Sequence, residues 1–197
     1  MKEIIVASTN SGKIREIKAM LDQIGIEVKS VKDVLGYNPD IEETGTTFVE
    51  NALIKAETVM KLVNRPVLAD DSGMEVEALP NELGLHTARF QPELPQVERN
   101  KLVVKLLENA TTRNAKFVCC AVLLVNGKEY KYLHETHGSI SNELKGTGGF
   151  GYNPIFIPKG YKETYAELSD EEKYKVSHRG VAMRELVKLV LEAGEEL

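Results

Sequence analysis

Two long runs of strand-forming residues, 115–125 and 128–136, are separated only by Asn126-Gly127. Asn-Gly readily takes positive φ at both central positions of a type I′ turn, so the two runs should pair as an antiparallel hairpin. The N-terminal half imposes the opposite constraint. Residues 4–7 read as a buried strand, Ser8-Thr9-Asn10-Ser11-Gly12 as a tight polar loop, and Ile14, Ile17, Leu21 and Ile24 then recur at helical spacing up to Gly25. A second strand is expected near 28–31. A long helix over 47–63 follows, with Phe48, Ala52, Ala56, Val59 and Val63 on one face, and beyond Pro66 a short buried strand, 67–69, leads into Asp70-Asp71-Ser72-Gly73. Strands alternating with helices favour parallel pairing. A chain that obeys both constraints is α/β, with a mixed, twisted sheet flanked by helices.

The rest of the chain fits that class. Residues 81–95 are loop-rich, and 96–109 are helical with Leu102, Val103, Leu106 and Leu107 facing inward. Gly146-Thr147-Gly148-Gly149-Phe150-Gly151 cannot form a regular element, and a short strand, 155–157, comes after Asn153-Pro154. Ser169 with Glu172 fits a capping box, and Ser177 is placed to cap a last helix whose Ala182, Leu186, Leu189 and Val190 form the inner face. No repeat or linker interrupts residues 1–197, which read as a single domain with room for two lobes.

Composition narrows the function classes. Lys and Arg total 25 against 30 Asp and Glu, a net charge of -5, which disfavours a nucleic-acid polymer as partner. A small anionic ligand stays open, because a local site can oppose the average. No apolar window is long enough to span a membrane and no signal peptide is evident. Cys119 and Cys120 are adjacent on an expected strand, which disfavours a bond between them and suits a reducing, cytoplasmic setting.

Four segments could carry chemistry. The strand–loop–helix start aims backbone N–H groups at one point, and Lys13 adds a full charge, so an anion such as a phosphate chain is favoured there. A capped helix start with an exposed lysine accounts for the same residues. Glu42 and Glu43 lie in a turn before the long helix, and Asp70 and Asp71 at a strand end. Such hard oxygen donors suit Mg²⁺ held together with water and substrate phosphates, or else are a solvated pair and a turn cap. The glycine-rich segment lets backbone approach a ligand, with Phe150 and Tyr152 offering flat faces to a base, although a plain bend has the same composition. Lys173, His178 and Arg179 gather donors around the start of the last helix, where surface positions are the alternative.

Taken together, Ser8-Thr9-Asn10-Ser11-Gly12-Lys13-Ile14-Arg15-Glu16, Glu42-Glu43-Thr44-Gly45-Thr46-Thr47-Phe48, Ala69-Asp70-Asp71-Ser72-Gly73, Gly146 through Pro154, and Ser177-His178-Arg179-Gly180 resemble the inosine/xanthosine triphosphate pyrophosphatase family. Each motif alone is weak; five in order are specific. The resemblance implies two lobes with a central substrate cleft, a homodimer, and Mg²⁺-dependent hydrolysis of ITP, dITP and XTP to the monophosphate and pyrophosphate. Carried onto this chain, it implies that Ser8, Thr9, Asn10, Ser11, Gly12 and Lys13 cradle the triphosphate. Glu42 and Asp71 become metal-site residues, Asp71 also the general base, with Lys13 beside it in catalysis. Ser72 becomes a substrate contact, and Phe150, Gly151, Tyr152, Asn153, Lys173, His178 and Arg179 the purine pocket. Many family members carry Asp where Asn153 stands, and the stretch from Leu83 to Phe90 is a loose version of the usual one, which leaves Arg89 without a role. A nucleotide sensor without turnover and a hydrolase of pyrimidine nucleotides are the rival readings.

Overall fold

The computed structural model describes residues 3–196. Six strands follow the order β2-β1-β3-β4-β5-β6. β1 (Glu3–Val6) pairs in parallel with β2 (Glu27–Ser30), Ile4 opposite Val28, and with β3 (Val67–Val76), Ile5 opposite Val67. β4 (Asn114–Val125) and β5 (Lys128–Ile140) form the expected hairpin, and Asn126 and Gly127 both take positive φ, 51° and 74°. β6 (Phe156–Pro158) runs antiparallel to β5, with Ser139 opposite Ile157. The mixed α/β sheet required by the sequence is therefore present.

Six α-helices accompany these strands among the described residues: α1 (Ser11–Asp22), α2 (Val31–Leu35), α3 (Phe48–Val63), α4 (Gln96–Leu106), α5 (Asp170–Val176) and α6 (His178–Glu192). α3 begins where the spacing predicts, because the Thr47 hydroxyl accepts from the Glu50 N–H. α2 escapes periodicity, being only five residues long, and is held by a Ser30–Asp33 capping box and left-handed Gly36.

The chain divides into two compact units. One comprises the N-terminal segment through Asp71, Cys119–His134, and the chain from Val181 onward; the other comprises Ser72–Val118 and Glu135–Gly180. The first has a core that includes Ile4, Val6, Ile17, Leu21, Val28, Leu68, Cys119, Leu123 and Leu186. The second packs Met74, Val103, Phe117, Ile155, Phe156 and Tyr165. Three expected core positions are not buried: Ile24 lies past the end of α1, Leu106 in α4 faces outward where Val103 and Leu107 face in, and Leu189 in α6 is exposed where Leu186 and Val190 face in. Cys119 and Cys120 form no disulfide, and burial pushes the Cys120 thiol up to about 11.

Candidate active site

In the first unit, β1 delivers the polar loop to the start of α1. Asn10 caps that helix, its Oδ1 accepting from the Lys13 N–H at 3.1 Å, while the Asn10 N–H donates to Ser8 Oγ at 3.2 Å. The first turn of a helix leaves N–H groups without intrahelical partners, and Ser8 through Gly12 surround them. Lys13 extends from this turn to Asp70, its Nζ 3.2 Å from Oδ2. The Asp70 side chain is fully buried, so it holds the lysine from below.

Asp70 and Asp71 do not follow the end of a short strand, as the sequence suggested; they sit inside β3, which runs on to Val76. Successive strand residues point to opposite faces, and the two carboxylates accordingly have different partners. Asp70 meets Lys13 and Cys119, whose Sγ donates to Oδ2 at 3.8 Å. Asp71 meets Lys55 of α3, which donates to Oδ1 at 2.9 Å; the same ammonium stands 3.6 Å from Glu43. Burial pushes the Asp71 carboxyl above the ordinary aspartate value, against the pull of Lys55 and Lys13. Burial would lower Lys55, but Asp71, Asp70 and Glu43 together outweigh it and hold the ammonium charged.

The segment carrying the acids is tied to the first turn of α3. The Gly45 N–H donates to Asn51 Oδ1 at 2.8 Å, and Glu50 accepts from both the N–H and the hydroxyl of Thr46. A Cβ at Gly45 would come within 2.6 Å of that Asn51 oxygen, so glycine is required there. The fold brings Glu43 to Lys55 and leaves Glu42 exposed. Lys55 was not among the residues picked from sequence. Its signal was available: it shares the buried face of α3 with Asn51, Ala52, Ala56 and Val59, an unusual place for a lysine.

In the second unit, Arg179 at the start of α6 donates through Nη2 to Ser72 Oγ at 2.9 Å, and its guanidinium carbon lies 5.7 Å from the centre of the Phe150 ring. His178 lies flat against Phe117, centroids 4.4 Å apart and planes 11° apart, with Tyr165 alongside. Lys173 on α5 is only 3% exposed; its Nζ lies 3.6 Å from Asp170. A Cβ at Gly149 would fall within 1.9 Å of the Asn153 amide and 3.2 Å of Lys173 Nζ, so the glycine-rich segment is pressed against both. Phe150, Asn153, Lys173, Arg179 and Ser72 thus belong to one neighbourhood. Tyr152 does not offer its ring as the sequence suggested: it is 4% exposed, packed in the core, with its hydroxyl donating to the Thr87 carbonyl. Arg89 is exposed at the end of a 3-10 turn, Gly84–Arg89.

The first-unit cluster can bind an anion and hold a base; the second offers a flat ring with cationic and imidazole groups. A protein of Bacillus licheniformis named dITP/XTP pyrophosphatase is 45% identical, covering 98% of this chain and 100% of its own, and one of the same name from Bacillus subtilis is 41% identical, covering 96% and 98%. Among solved structures, a HAM1 protein from Coxiella burnetii superposes with a TM-score of 0.84 at 37% identity, covering 98% of this chain and 100% of that one. The Staphylococcus aureus Ham1 protein gives 0.82 at 35% identity, with the same coverage. The sequence pattern of the Ham1 family matches residues 4–189, and this chain belongs to the Ham1 family.

Proposed function

We propose that the protein hydrolyses non-standard purine nucleoside triphosphates, dITP, ITP and XTP, to the monophosphate and pyrophosphate, clearing deaminated purines from the nucleotide pool. The observation that carries this reading is Asp71, a buried carboxylate paired at 2.9 Å with Lys55, in a chain whose full-length relatives carry dITP/XTP pyrophosphatase in their names.

Water attacks the α-phosphorus, the bond to the bridging oxygen breaks, and pyrophosphate leaves with that oxygen. Asp71 takes the proton of the water, and its burial raises the proton affinity that a base needs. Lys13 and Lys55 oppose the negative charge that develops on the phosphates. The loop from Ser8 to Gly12 supplies N–H donors to the phosphate chain.

Mg²⁺ fits the same cluster. Glu43 and Asp71 already converge on a positive charge, the Lys55 ammonium, and two carboxylates suffice for an ion that keeps waters and substrate phosphates as its other ligands. Asp71, with Glu43 or Glu42 from the segment before α3, would hold the ion, which when bound draws charge from the phosphate oxygens.

Base selection follows from donors. Lys173, His178 and Arg179 suit the 6-keto oxygen of hypoxanthine or xanthine, with Phe150 as the stacking face. Adenine places an amino group there, and a site built on such hydrogen bonds rejects the wrong base by about 10⁴-fold. A homodimer in the cytoplasm completes the reading.

The test is pyrophosphate release from ITP, XTP, GTP, ATP and CTP, each with Mg²⁺ and with chelator. Metal-dependent release confined largely to ITP and XTP is expected. Tight binding without release would leave a sensor, and release mainly from CTP would overturn the purine pocket.

A further inference from the structure

The glycine-rich segment of the second unit is held by backbone contacts and by two buried asparagines. The Gly148 N–H donates to the Ala166 carbonyl at 3.0 Å, and a Cβ at Gly146 would meet the Ala166 backbone at 2.5 Å. Asn100 of α4, 1% exposed, donates through Nδ2 to the Gly151 carbonyl at 3.1 Å and itself accepts from Gln96 Nε2 at 3.0 Å. At the end of the segment stands Asn153, 7% exposed. The hydrogen-bond network assigns its amide one orientation: Nδ2 donates to the Phe150 carbonyl and Oδ1 accepts from the Phe150 N–H, each at 3.2 Å. Gly149 presses on that amide, close enough that a single methyl group would not fit between them.

We propose that Asn153 is a positioning residue: its amide brackets both backbone polar groups of Phe150 and so fixes the ring on which the base stacks, with Asn100 tethering the next residue from the other side. The proposal rests on the nucleotide reading above and deepens it. Asn153 contributes affinity for the base and carries no information about which base is present. The reason is access. An amide can serve an N–H and a C=O of one residue at once, which a carboxylate cannot; Asn153 spends one N–H and one lone pair on Phe150, and at 7% exposure against Gly149 the rest of the amide is turned away from a base. Phe150 is left half-buried beneath the Arg179 guanidinium, the one large apolar side chain of the segment that keeps an accessible face. A wall held before substrate arrives spares binding the cost of ordering it.

The experiment compares the parent with Asn153→Leu, which keeps the approximate volume and removes both bonds, and with Asn100→Ala, which removes the second tether without touching Asn153. KM and kcat are measured on ITP, XTP, GTP and ATP, and calorimetric Kd for inosine monophosphate and for tripolyphosphate. Both variants should raise KM by the same factor on every purine, about tenfold, the scale of a weakened base–aromatic stack. The loss should fall on KM rather than kcat and on inosine monophosphate rather than tripolyphosphate. The double variant should lose less than the product of the two single losses, because both act on one wall. A changed ratio of ITP to ATP in Asn153→Leu means the amide reads the base, and an unchanged KM means it holds nothing; either overturns the proposal. If Asn153→Leu fails to fold, Asn100→Ala carries the same comparison. A parent that binds inosine monophosphate without releasing pyrophosphate from ITP sinks the hydrolase reading alone, since the two Kd values still test the bracket. A parent that does not bind inosine monophosphate removes the base wall and the proposal with it.

Discussion

The Lys55 ammonium of α3 stands 2.9 Å from the Asp71 carboxylate of β3, with Glu43 3.6 Å away on the same nitrogen. One cation thus links the segment before α3 to the strand that carries the base. The pair sets two opposing demands on Asp71. Burial strengthens its hold on a proton, and the nearby lysines pull the other way, toward the charged carboxylate that can accept one.

Asp71→Asn keeps the shape and removes the basic oxygen. Turnover of ITP should fall by about 10²–10⁴-fold, the range of a lost general base, in a protein that still folds. Stopped pyrophosphate release together with circular dichroism checks both halves; near-parental turnover would remove Asp71 from the chemistry.

The pH profile follows from the same pair. The base acts deprotonated, so activity falls as pH drops through the Asp71 value, which burial places above that of an ordinary aspartate. Lys55→Met takes away the nearest cation and leaves the burial in place. The acid limb of kcat/KM should therefore move to higher pH, and a limb that stays put would deny Lys55 any part in setting the base. Stability carries the opposite signature. The raised value of Lys55 contributes stability that is complete below the ordinary lysine value and disappears as pH rises through the raised one, so alkaline melting should flatten in the variant.

Much of this arrangement was legible in the sequence, and the exceptions have physical causes. Asn126-Gly127 and the helical spacing of α3 gave the sheet its mixed character because turn chemistry and periodicity are local. The run of β3 through Asp70, Asp71, Ser72 and Gly73 was hidden, since charged and small residues read as a loop until partners such as Lys13, Lys55 and Arg179 are placed against them. Tyr152 looked like a second flat face, but its direction depends on a hydroxyl bond to Thr87, 65 residues away. Asn153 was placed in the purine pocket by the family resemblance and marked as a departure from the usual Asp. Its engagement with Phe150 depends on a tight turn that composition does not reveal.

Lys13→Ala tests the phosphate cradle and its foundation together. Asp70 is fully buried and would lose the cation 3.2 Å from it, and breaking a buried pair on one side costs about 3–5 kcal/mol. The melting temperature should fall, and KM for ITP should rise far more than Kd for inosine. Lys13→Ala with Asp70→Asn should recover much of the stability and none of the triphosphate affinity. Recovery of both would reduce Lys13 to a structural counter-ion.

Gly180 tests how the corner that presents His178 and Arg179 is built. α5 ends at Val176 and α6 starts at His178, with only Ser177 between them; its hydroxyl accepts from the Gly180 N–H at 3.0 Å. A Cβ on Gly180 would stand 2.0 Å from the Tyr174 carbonyl oxygen and 2.9 Å from Ser177 Oγ. Backbone cannot step aside as a flexible side chain can, so Gly180→Ala should cost about 3 kcal/mol, the upper end of ordinary overpacking. For a chain of this size that is roughly 6–12 °C in Tm. The displaced turn carries Arg179 away from Ser72, so KM for ITP should rise as well. Gly25→Ala is the control: with φ of 78° and no atom within 4 Å of an added Cβ, it pays only the backbone cost of about 1–2 kcal/mol and leaves KM alone. Should the two variants melt together and share the parental KM, the approach of Gly180 to Tyr174 has slack, and some other contact must hold His178 and Arg179 in place.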